Sequence, residues 1–294
     1  MDILEYFPIK IKEKLEPEIR DYPHSISEIR CRVNCPIILK IGQDEKILMY
    51  TPSAEELSEI LNSVCNNSIY AYQSQMCEGF ITIQGGHRVG ISGNVVVKEG
   101  KIININYIYS LNFRIAKQVK GCSDEILKQI IKNDLIQNTL IVSCPGAGKT
   151  TILRDLARNI SDGNSQMKFK GKDVSIIDER GEIAAMHKGI PQNDVGIRTD
   201  VINNVTKPTG IKMAIRALAP KVLIADEIGN KNDAEAINYA TCSGVAGIFS
   251  AHGNCIEDLK KNPELNQLLK LNIFKNIVFL NEFEKGKVKE IWKA

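Results

Sequence analysis

A lysine that follows two closely spaced glycines offers the clearest chemistry in this 294-residue chain. It lies directly after an apolar run over residues 139–143 and before an amphipathic run over residues 152–160. The segment consists of Ser143, Cys144, Pro145, Gly146, Ala147, Gly148, Lys149, Thr150 and Thr151. A strand, a glycine-rich turn and a helix in this order surround an anion with backbone N–H groups and a helix N-terminus. The segment therefore predicts a phosphate-binding loop.

This segment fits the nucleotide-binding P-loop pattern G-x-x-x-x-G-K-[ST] except at its first position, where Ser143 replaces glycine. That position begins the loop and contacts phosphate least, so a small serine is compatible with it. In such a loop Lys149 bridges the β- and γ-phosphates, and the Thr150 hydroxyl binds Mg²⁺. We therefore expect the loop to bind ATP together with Mg²⁺.

Two acidic residues follow a second apolar run. Asp226 and Glu227 come directly after residues 221–225, Lys-Val-Leu-Ile-Ala. The carboxyl ends of parallel strands meet at one edge of a sheet, where α/β proteins bind their ligands. We expect Asp226 to hold Mg²⁺ there, and Glu227 to orient and deprotonate the water that attacks the γ-phosphate.

A guanine-binding interpretation of the same region fails on geometry. Residues 226–229 fit the D-x-x-G string of GTPases, and residues 230–233 fit their N-K-x-D string. In a GTPase the first string contacts the γ-phosphate and the second contacts the base, from separate strands. Here the two strings are adjacent, so one short turn would have to reach both ends of the nucleotide.

A parallel sheet is the structure that must position these side chains. Four β-rich apolar runs alternate with helical patterns, at residues 139–143, 174–178, 222–226 and 247–251. Buried parallel strands with crossover helices have this pattern. Residues 138–294 are therefore predicted to form an α/β domain, closed by a hairpin of residues 277–281 and 287–292.

The first part of the chain has a different pattern. Residues 1–115 are predicted to form a smaller α/β domain, with two strands at 27–33 and 36–39 and a small antiparallel meander after residue 85. A helix ending near Cys65 is predicted to begin at Ser53, with Glu56 completing a capping box. Residues 116–137 are predicted to be a linker that contains one helix.

Charge argues against a nucleic-acid partner. The chain has a formal charge of +3, and its first 115 residues carry 12 basic against 14 acidic side chains. A nucleic-acid-binding domain would show a basic excess.

The longest charge-free run, residues 236–256, contains too many polar residues to be a membrane span. The N-terminal residues have no secretory pattern, and the eight scattered cysteines fit reduced thiols, so we expect a cytoplasmic protein.

Five motifs in order resemble the stage III sporulation protein AA family, a relative of the secretion ATPases that drive type II and type IV systems and pili. The resemblance extends over nearly the whole chain and includes residues 86–90 and 112–115. The motifs are residues 139–155 with the P-loop, residues 174–184 (VSIIDERGEIA), residues 196–200 (GIRTD), residues 215–220 (IRALAP) and residues 250–253 (SAHG).

The resemblance implies a RecA-like P-loop core of the class in which an additional strand separates the P-loop strand from the strand before Asp226. It also implies a homo-hexameric ring that holds nucleotide between subunits. Asp178, Glu179 and Glu182 fall where secretion ATPases keep an acidic box, and His252 falls where they keep a conserved histidine. Glu227, Glu179 and Glu182 thus all stay open as the catalytic base. For His252, both a role in sensing the γ-phosphate and a core position stay open. For Asp178, a surface ion pair with Arg180 stays open as well.

Ring ATPases commonly need an arginine from a neighbouring subunit or domain to stabilise transition-state charge. Arg198 and Arg216 are the candidates in the second part of the chain, and Arg88 and Arg114 are those in the first. Each of them also fits a structural ion pair.

The resemblance implies an ATPase that powers assembly or transport through a channel between mother cell and forespore. It would act at the membrane surface on the mother-cell side, with membrane proteins of the same sporulation complex as partners and no nucleic acid. Two alternatives stay open, namely a nucleic-acid remodelling ATPase and a nucleotide-binding ring scaffold with little turnover.

Overall fold

The computed structural model describes residues 2–23 and 25–293. The chain forms two compact units, Met1–Lys117 and Gln118–Ala294. Each unit has its own hydrophobic core. The helix expected between residues 116 and 137 is present at Asp124–Ile130 and belongs to the core of the second unit.

The first unit is built on a six-stranded antiparallel sheet in the order β3-β2-β1-β6-β5-β4. The strands are β1 (Ile26–Arg32), β2 (Cys35–Ile41), β3 (Asp44–Leu48), β4 (Phe80–Thr82), β5 (Arg88–Lys98) and β6 (Lys101–Arg114). The helices are α1 (Ile9–Asp21), α2 (Ala54–Val64) and α3 (Gln73–Cys77).

Local sequence signals explain two features of this unit. Asn34 has a φ of 56°, a left-handed conformation that asparagine tolerates, and it turns β1 into β2. The predicted capping box is confirmed, because the Ser53 side chain accepts a hydrogen bond from the Glu56 N–H at 3.2 Å and the Glu56 carboxylate accepts one from the Ser53 N–H at 3.0 Å. The apolar face of α2 then packs into the core of the unit.

The second unit is built on a seven-stranded sheet in the order β9-β8-β10-β11-β7-β12-β13. Its strands are β7 (Thr139–Ser143), β8 (Val174–Asp178), β9 (Thr199–Asn203), β10 (Val222–Ala225), β11 (Ala246–His252), β12 (Asn276–Leu280) and β13 (Val288–Lys293). Six strands are parallel, and β13 pairs antiparallel with β12 as the expected hairpin. β11 lies between β7 and β10, which confirms the predicted additional strand.

Helices cover both faces of this sheet. They are α4 (Asp124–Ile130), α5 (Lys149–Asp162), α6 (Lys207–Ala217), α7 (Lys231–Cys242), α8 (Ile256–Lys261) and α9 (Pro263–Lys270). Along β7, Leu140 and Val142 pack in the core with α6 to α9, whereas Ile141 packs in the core with α4 and α5. Strands buried on both faces explain the unbroken apolar runs of the sequence.

The remaining elements are short. Two-residue ribbons pair Ile131–Lys132 with Leu135–Ile136, Gly163–Asn164 with Phe169–Lys170, and Met186–His187 with Ile190–Pro191. Single 3-10 turns lie at Asp2–Tyr6, Ile69–Tyr72 and Gln84–Gly86. Throughout residues 2–23 and 25–293, every helix is too short or too polar to cross a bilayer.

Candidate functional site

The P-loop joins β7 to α5 at the carboxyl edge of the parallel sheet. Gly146 and Gly148 have φ values of 79° and 103°, which side chains with a Cβ rarely adopt. Gly148 is also the N-cap residue of α5, so the helix starts at Lys149 with its first N–H groups directed at the loop. The glycines and the helix N-terminus therefore have the arrangement that an anion-binding loop needs.

The Lys149 ammonium lies inside the loop. Its Nζ donates hydrogen bonds to the backbone oxygens of Ser143 at 3.0 Å and Cys144 at 3.1 Å. Burial lowers the pKa of Lys149, against the opposing effect of the nearby Asp226 and Glu227 carboxylates. A cation held by backbone oxygens in the loop can attract phosphate from a short distance.

Oxygen ligands suitable for Mg²⁺ are grouped beside the loop. The Thr150 hydroxyl donates to Asp226 Oδ2 at 2.5 Å, and the Ser250 hydroxyl donates to the other oxygen of the same carboxylate. Mg²⁺ prefers carboxylate and hydroxyl oxygens, so these residues fit the metal that the sequence predicts. Thr150 and Asp226 would hold it, as expected from their types and spacing.

Glu227 has an unusual backbone conformation. Its φ is 51°. A positive φ is uncommon for a residue with a Cβ, and residues in this conformation cluster at functional sites. The Glu227 N–H donates to the Ser250 hydroxyl at 2.9 Å and to Asp226 Oδ1 at 3.0 Å, which stabilises this conformation. Arg180 pairs with the Glu227 carboxylate through Oε2. The turn after β10 therefore points a carboxylate into the site at the cost of local strain.

His252 lies between Lys149 of the P-loop and Glu227. It is the last residue of β11 and pairs with Ser143 on β7. Its Nδ1 lies 3.3 Å from Lys149 Nζ, and its Nε2 lies 3.1 Å from Glu227 Oε1. Because an ammonium only donates, Nδ1 accepts and Nε2 carries the proton that is donated to Glu227. The imidazole therefore joins the P-loop lysine to the glutamate.

Asp178 has a structural role at the end of β8. It is 3% exposed, and its two oxygens accept hydrogen bonds from the N–H groups of Glu182, Ile183 and Ala184 at 2.8–3.2 Å. Arg154 on α5 donates to the carbonyl oxygens of Glu182 and Ile183, both at 2.7 Å. These contacts shape the loop that carries Glu179, Arg180 and Glu182.

Glu179 and Glu182 lie beside Glu227. Both line a small cavity together with Asp226, Glu227 and Lys207. The Glu179 carboxylate accepts a hydrogen bond from Lys207 Nζ at 2.5 Å, and Lys207 is 9% exposed. Glu179 is ion-paired with Lys207 and Glu227 with Arg180, but Glu227 also contacts His252 directly. This difference favours Glu227 among the three candidate bases.

The structure does not bring Arg198 or Arg216 to the P-loop of the same chain. Arg198 precedes the start of β9 and donates to the Ser161 carbonyl oxygen at 2.8 Å. Arg216 is exposed in the last turn of α6, which runs from the carboxyl edge of the sheet back to its amino edge. Both arginines are thus at the edge opposite the P-loop.

Arg88 and Arg114 lie together in the first unit. They are directly paired across β5 and β6, and the Arg88 guanidinium lies 4.4 Å from the centre of the Phe80 ring. The pairing was not visible in the sequence, where the two residues are 26 positions apart.

Two residues of the site and one helix cap were not predicted from the sequence. Ser250 and Arg180 both contact the acidic pair, and their only signal was their position within the SAHG and DER strings. The N-K-x-D string is a helix cap, because Asn230 accepts from the Asp233 N–H at 3.0 Å and Asp233 accepts from the Asn230 N–H. This capping role explains why asparagine and aspartate stand at that spacing.

Solved structures show the fold of the chain. The ATPase DotB of Legionella pneumophila matches with a TM-score of 0.61 at 15% identity, over 93% of this chain and 76% of DotB. The pilus retraction motor PilT with bound ADP matches with a TM-score of 0.58 at 15% identity, over 90% of this chain and 77% of PilT. The second unit therefore has the RecA-like P-loop fold that the resemblance implied.

Sequence comparison shows the family. The model of the family described as sporulation stage III, protein AA, matches residues 1–294. Stage III sporulation protein AA of Bacillus subtilis (strain 168) is 38% identical over 292 residues, which cover 99% of this chain and 94% of that protein. The chain therefore belongs to the sporulation stage III, protein AA family.

Proposed function

We propose that the chain hydrolyses Mg-ATP as a motor of the secretion-ATPase type. The observation that carries this proposal is the convergence of the P-loop, Asp226, Glu227 and His252 at one edge of the sheet. A loop that only binds nucleotide needs no strained glutamate linked through a histidine to the P-loop lysine. These contacts favour turnover over a passive scaffold.

Each group has a distinct task in this proposal. Lys149 attracts the β- and γ-phosphates. Thr150 and Asp226 would hold Mg²⁺, which would offset the charge of the phosphate oxygens. Glu227 accepts the proton of the attacking water. His252 donates its Nε2 proton to the Glu227 carboxylate and thereby orients it.

The assembly is proposed on the basis of the family. The chain would form a homo-hexamer in which an arginine of one subunit reaches the nucleotide of the next. The exposed position of Arg216 at the amino edge supports a role across an interface. The ring would lie on the cytoplasmic, mother-cell side of the membrane, with membrane proteins of the same sporulation channel complex as partners, and would drive assembly or transport.

Phosphate release and molecular mass test this proposal together. Wild-type protein with Mg-ATP should release phosphate and assemble into a hexamer detectable by light scattering. Glu227→Gln should retain ATP but lower the rate by about 100- to 10,000-fold, because it removes the general base. Glu235→Gln on the adjacent helix α7 removes an exposed carboxylate from outside the site and should leave the rate unchanged.

One outcome would revise the proposal and another would overturn it. A near-wild-type rate for Glu227→Gln would move the base to Glu179 or Glu182, which the corresponding glutamine variants would reveal. Nucleotide binding without turnover, even with the membrane partners present, would favour a ring scaffold.

A further inference from the structure

The position of the acidic groups relative to the P-loop sets the direction of a bound nucleotide. Asp226 and Glu227 directly follow β10, and His252 is the last residue of β11; both strands are on one side of β7. The terminal phosphate belongs on that side, because those groups act on it. The rest of the nucleotide must then extend to the other side of β7, over β12 and β13.

The turn between β12 and β13 lies against the P-loop on that other side. The Gly286 N–H donates to the Ala147 carbonyl oxygen at 2.9 Å. A Cβ added at Gly148 would be 3.2 Å from the Gly286 nitrogen, so the two backbones are in direct contact. The turn and the phosphate-binding loop are therefore connected by backbone contacts and hold a defined relative position.

This turn presents an exposed aromatic ring. Phe283 is 87% exposed, whereas the phenylalanines 249, 274 and 279 of the same unit are buried. Its backbone is held in place, since the Asn281 side chain accepts from the N–H groups of Phe283 at 2.8 Å and Glu284 at 3.1 Å. An ordered turn that exposes a large apolar ring beside a phosphate site leaves that ring available to stack on a planar group.

We propose that Phe283 forms the nucleobase subsite by stacking on the adenine ring of the bound nucleotide. The inference rests on the proposed function and adds the residue that binds the base. Stacking uses the π-face that every base has, so the subsite contributes affinity without reading the polar edge of the base. We therefore expect Phe283 to support ATP and GTP binding to a similar degree.

The affinities of ATP and inorganic tripolyphosphate for the same variants test this subsite. Phe283→Ala should weaken Mg-ATP binding by about 5- to 150-fold, as expected for the loss of one base–aromatic stack. Phe283→Tyr should retain wild-type affinity. Tripolyphosphate has no base, so its affinity should be the same in all three proteins. Because Phe283 is exposed, the thermal midpoint of Phe283→Ala should match that of the wild type.

Fluorescence gives an independent readout. Trp292 on β13 is the only tryptophan of the chain, so Trp292→Phe provides a background without tryptophan. In that background Phe283→Trp should report ATP by a change of emission and should not respond to tripolyphosphate.

The outcomes separate this subsite from the proposed function. Equal ATP affinity in wild type and Phe283→Ala would overturn the subsite and leave the P-loop assignment intact. An equal loss of ATP and tripolyphosphate affinity in Phe283→Ala would show that the turn supports the loop and does not bind the base. A wild-type protein that binds neither compound would overturn the proposed function and the subsite with it.

Discussion

His252 Nε2 lies 3.1 Å from Glu227 Oε1, while the other nitrogen of the same ring lies 3.3 Å from Lys149 Nζ. The imidazole therefore contacts both the group that attracts phosphate and the group proposed to activate water. A substitution of Lys149 can therefore affect Glu227 through the His252 side chain.

Removal of this imidazole should affect turnover more than binding. We expect His252→Ala to lower kcat by about 10- to 100-fold, because Glu227 loses the donor that orients it. The KM for ATP should change by less than about threefold, since the P-loop is intact. Steady-state phosphate release measures both constants. A kcat within twofold of wild type would assign His252 to packing.

Lys149→Ala should abolish function without unfolding the protein. Burial lowers the pKa of Lys149, so the folded state already bears the cost of an ammonium with little access to water. We expect ATP affinity to fall by at least about 30-fold, because the phosphates lose their buried cation. Calorimetric titration measures the affinity, and circular dichroism checks the fold. Unchanged binding would remove the P-loop assignment.

Arg180 competes with water for the Glu227 carboxylate. The two side chains are ion-paired, and the Arg180 side chain is 68% exposed. Exposed ion pairs contribute at most about 1 kcal/mol. Without Arg180, the Glu227 carboxylate should accept a proton from water more readily, so Arg180→Ala should raise the rate of the isolated protein by no more than about fivefold. Arg180→Lys should behave like the wild type. A tenfold fall in kcat would instead show that Arg180 stabilises transition-state charge.

Arg216 can be tested by mixing inactive variants. If Arg216 acts on the neighbouring nucleotide, Arg216→Ala and Glu227→Gln should each be inactive alone. A random 1:1 mixture joins an intact Glu227 to an intact Arg216 at roughly a quarter of its interfaces, which should restore activity. The rate is followed as the ratio is varied. No recovery at any ratio would exclude this role, and the same experiment then applies to Arg198.

Asp155 should make stability depend on acid. Its buried carboxylate accepts hydrogen bonds from the Ser123 N–H at 2.9 Å and hydroxyl at 2.8 Å, and pairs with Arg158 at 2.7 Å. Burial alone would raise the pKa of Asp155, but the hydrogen bonds from Arg158 and Ser123 prevail and lower it. The folded state therefore binds this proton less readily than the unfolded chain.

A depressed pKa contributes stability that is present above the unfolded value, about 4, and is lost as pH falls through the folded value. Asp155→Asn should lower the free energy of unfolding by about 3 kcal/mol near neutral pH and by less in acid. Denaturant titration followed by Trp292 fluorescence reports the second unit. A loss that is constant from neutral pH to pH 3 would mean that Asp155 is not the titrating group.

Local patterns were sufficient for four core strands of the second unit and for one helix cap of the first. The P-loop, the four parallel strands and the capping box of α2 each depend on residues within one short segment, whose periodicity and turn chemistry are visible in the chain. The proximity of Thr150 to Asp226 was also predictable, because a P-loop and an acidic residue after a buried parallel strand meet at one edge of the sheet.

Contacts between distant segments required the tertiary structure. His252 meets Lys149 only because β11 lies between β7 and β10, and these two residues are 103 positions apart. The same holds for Gly286, whose N–H contacts the P-loop from the last hairpin. Sequence spacing carries no information on such pairs, since strand order and not chain order decides them.

Side-chain roles within one motif were likewise decided in three dimensions. Asp178, Glu179 and Arg180 are consecutive, yet the first accepts backbone N–H groups, the second pairs with Lys207 and the third pairs with Glu227. The sequence identified Asp178 and Glu179 as candidate functional residues, by their position after a buried strand and by the family resemblance, but it gave Arg180 no role at the site. Only the path of the loop after β8 determined which of these charges is buried, which is paired and which reaches the nucleotide site.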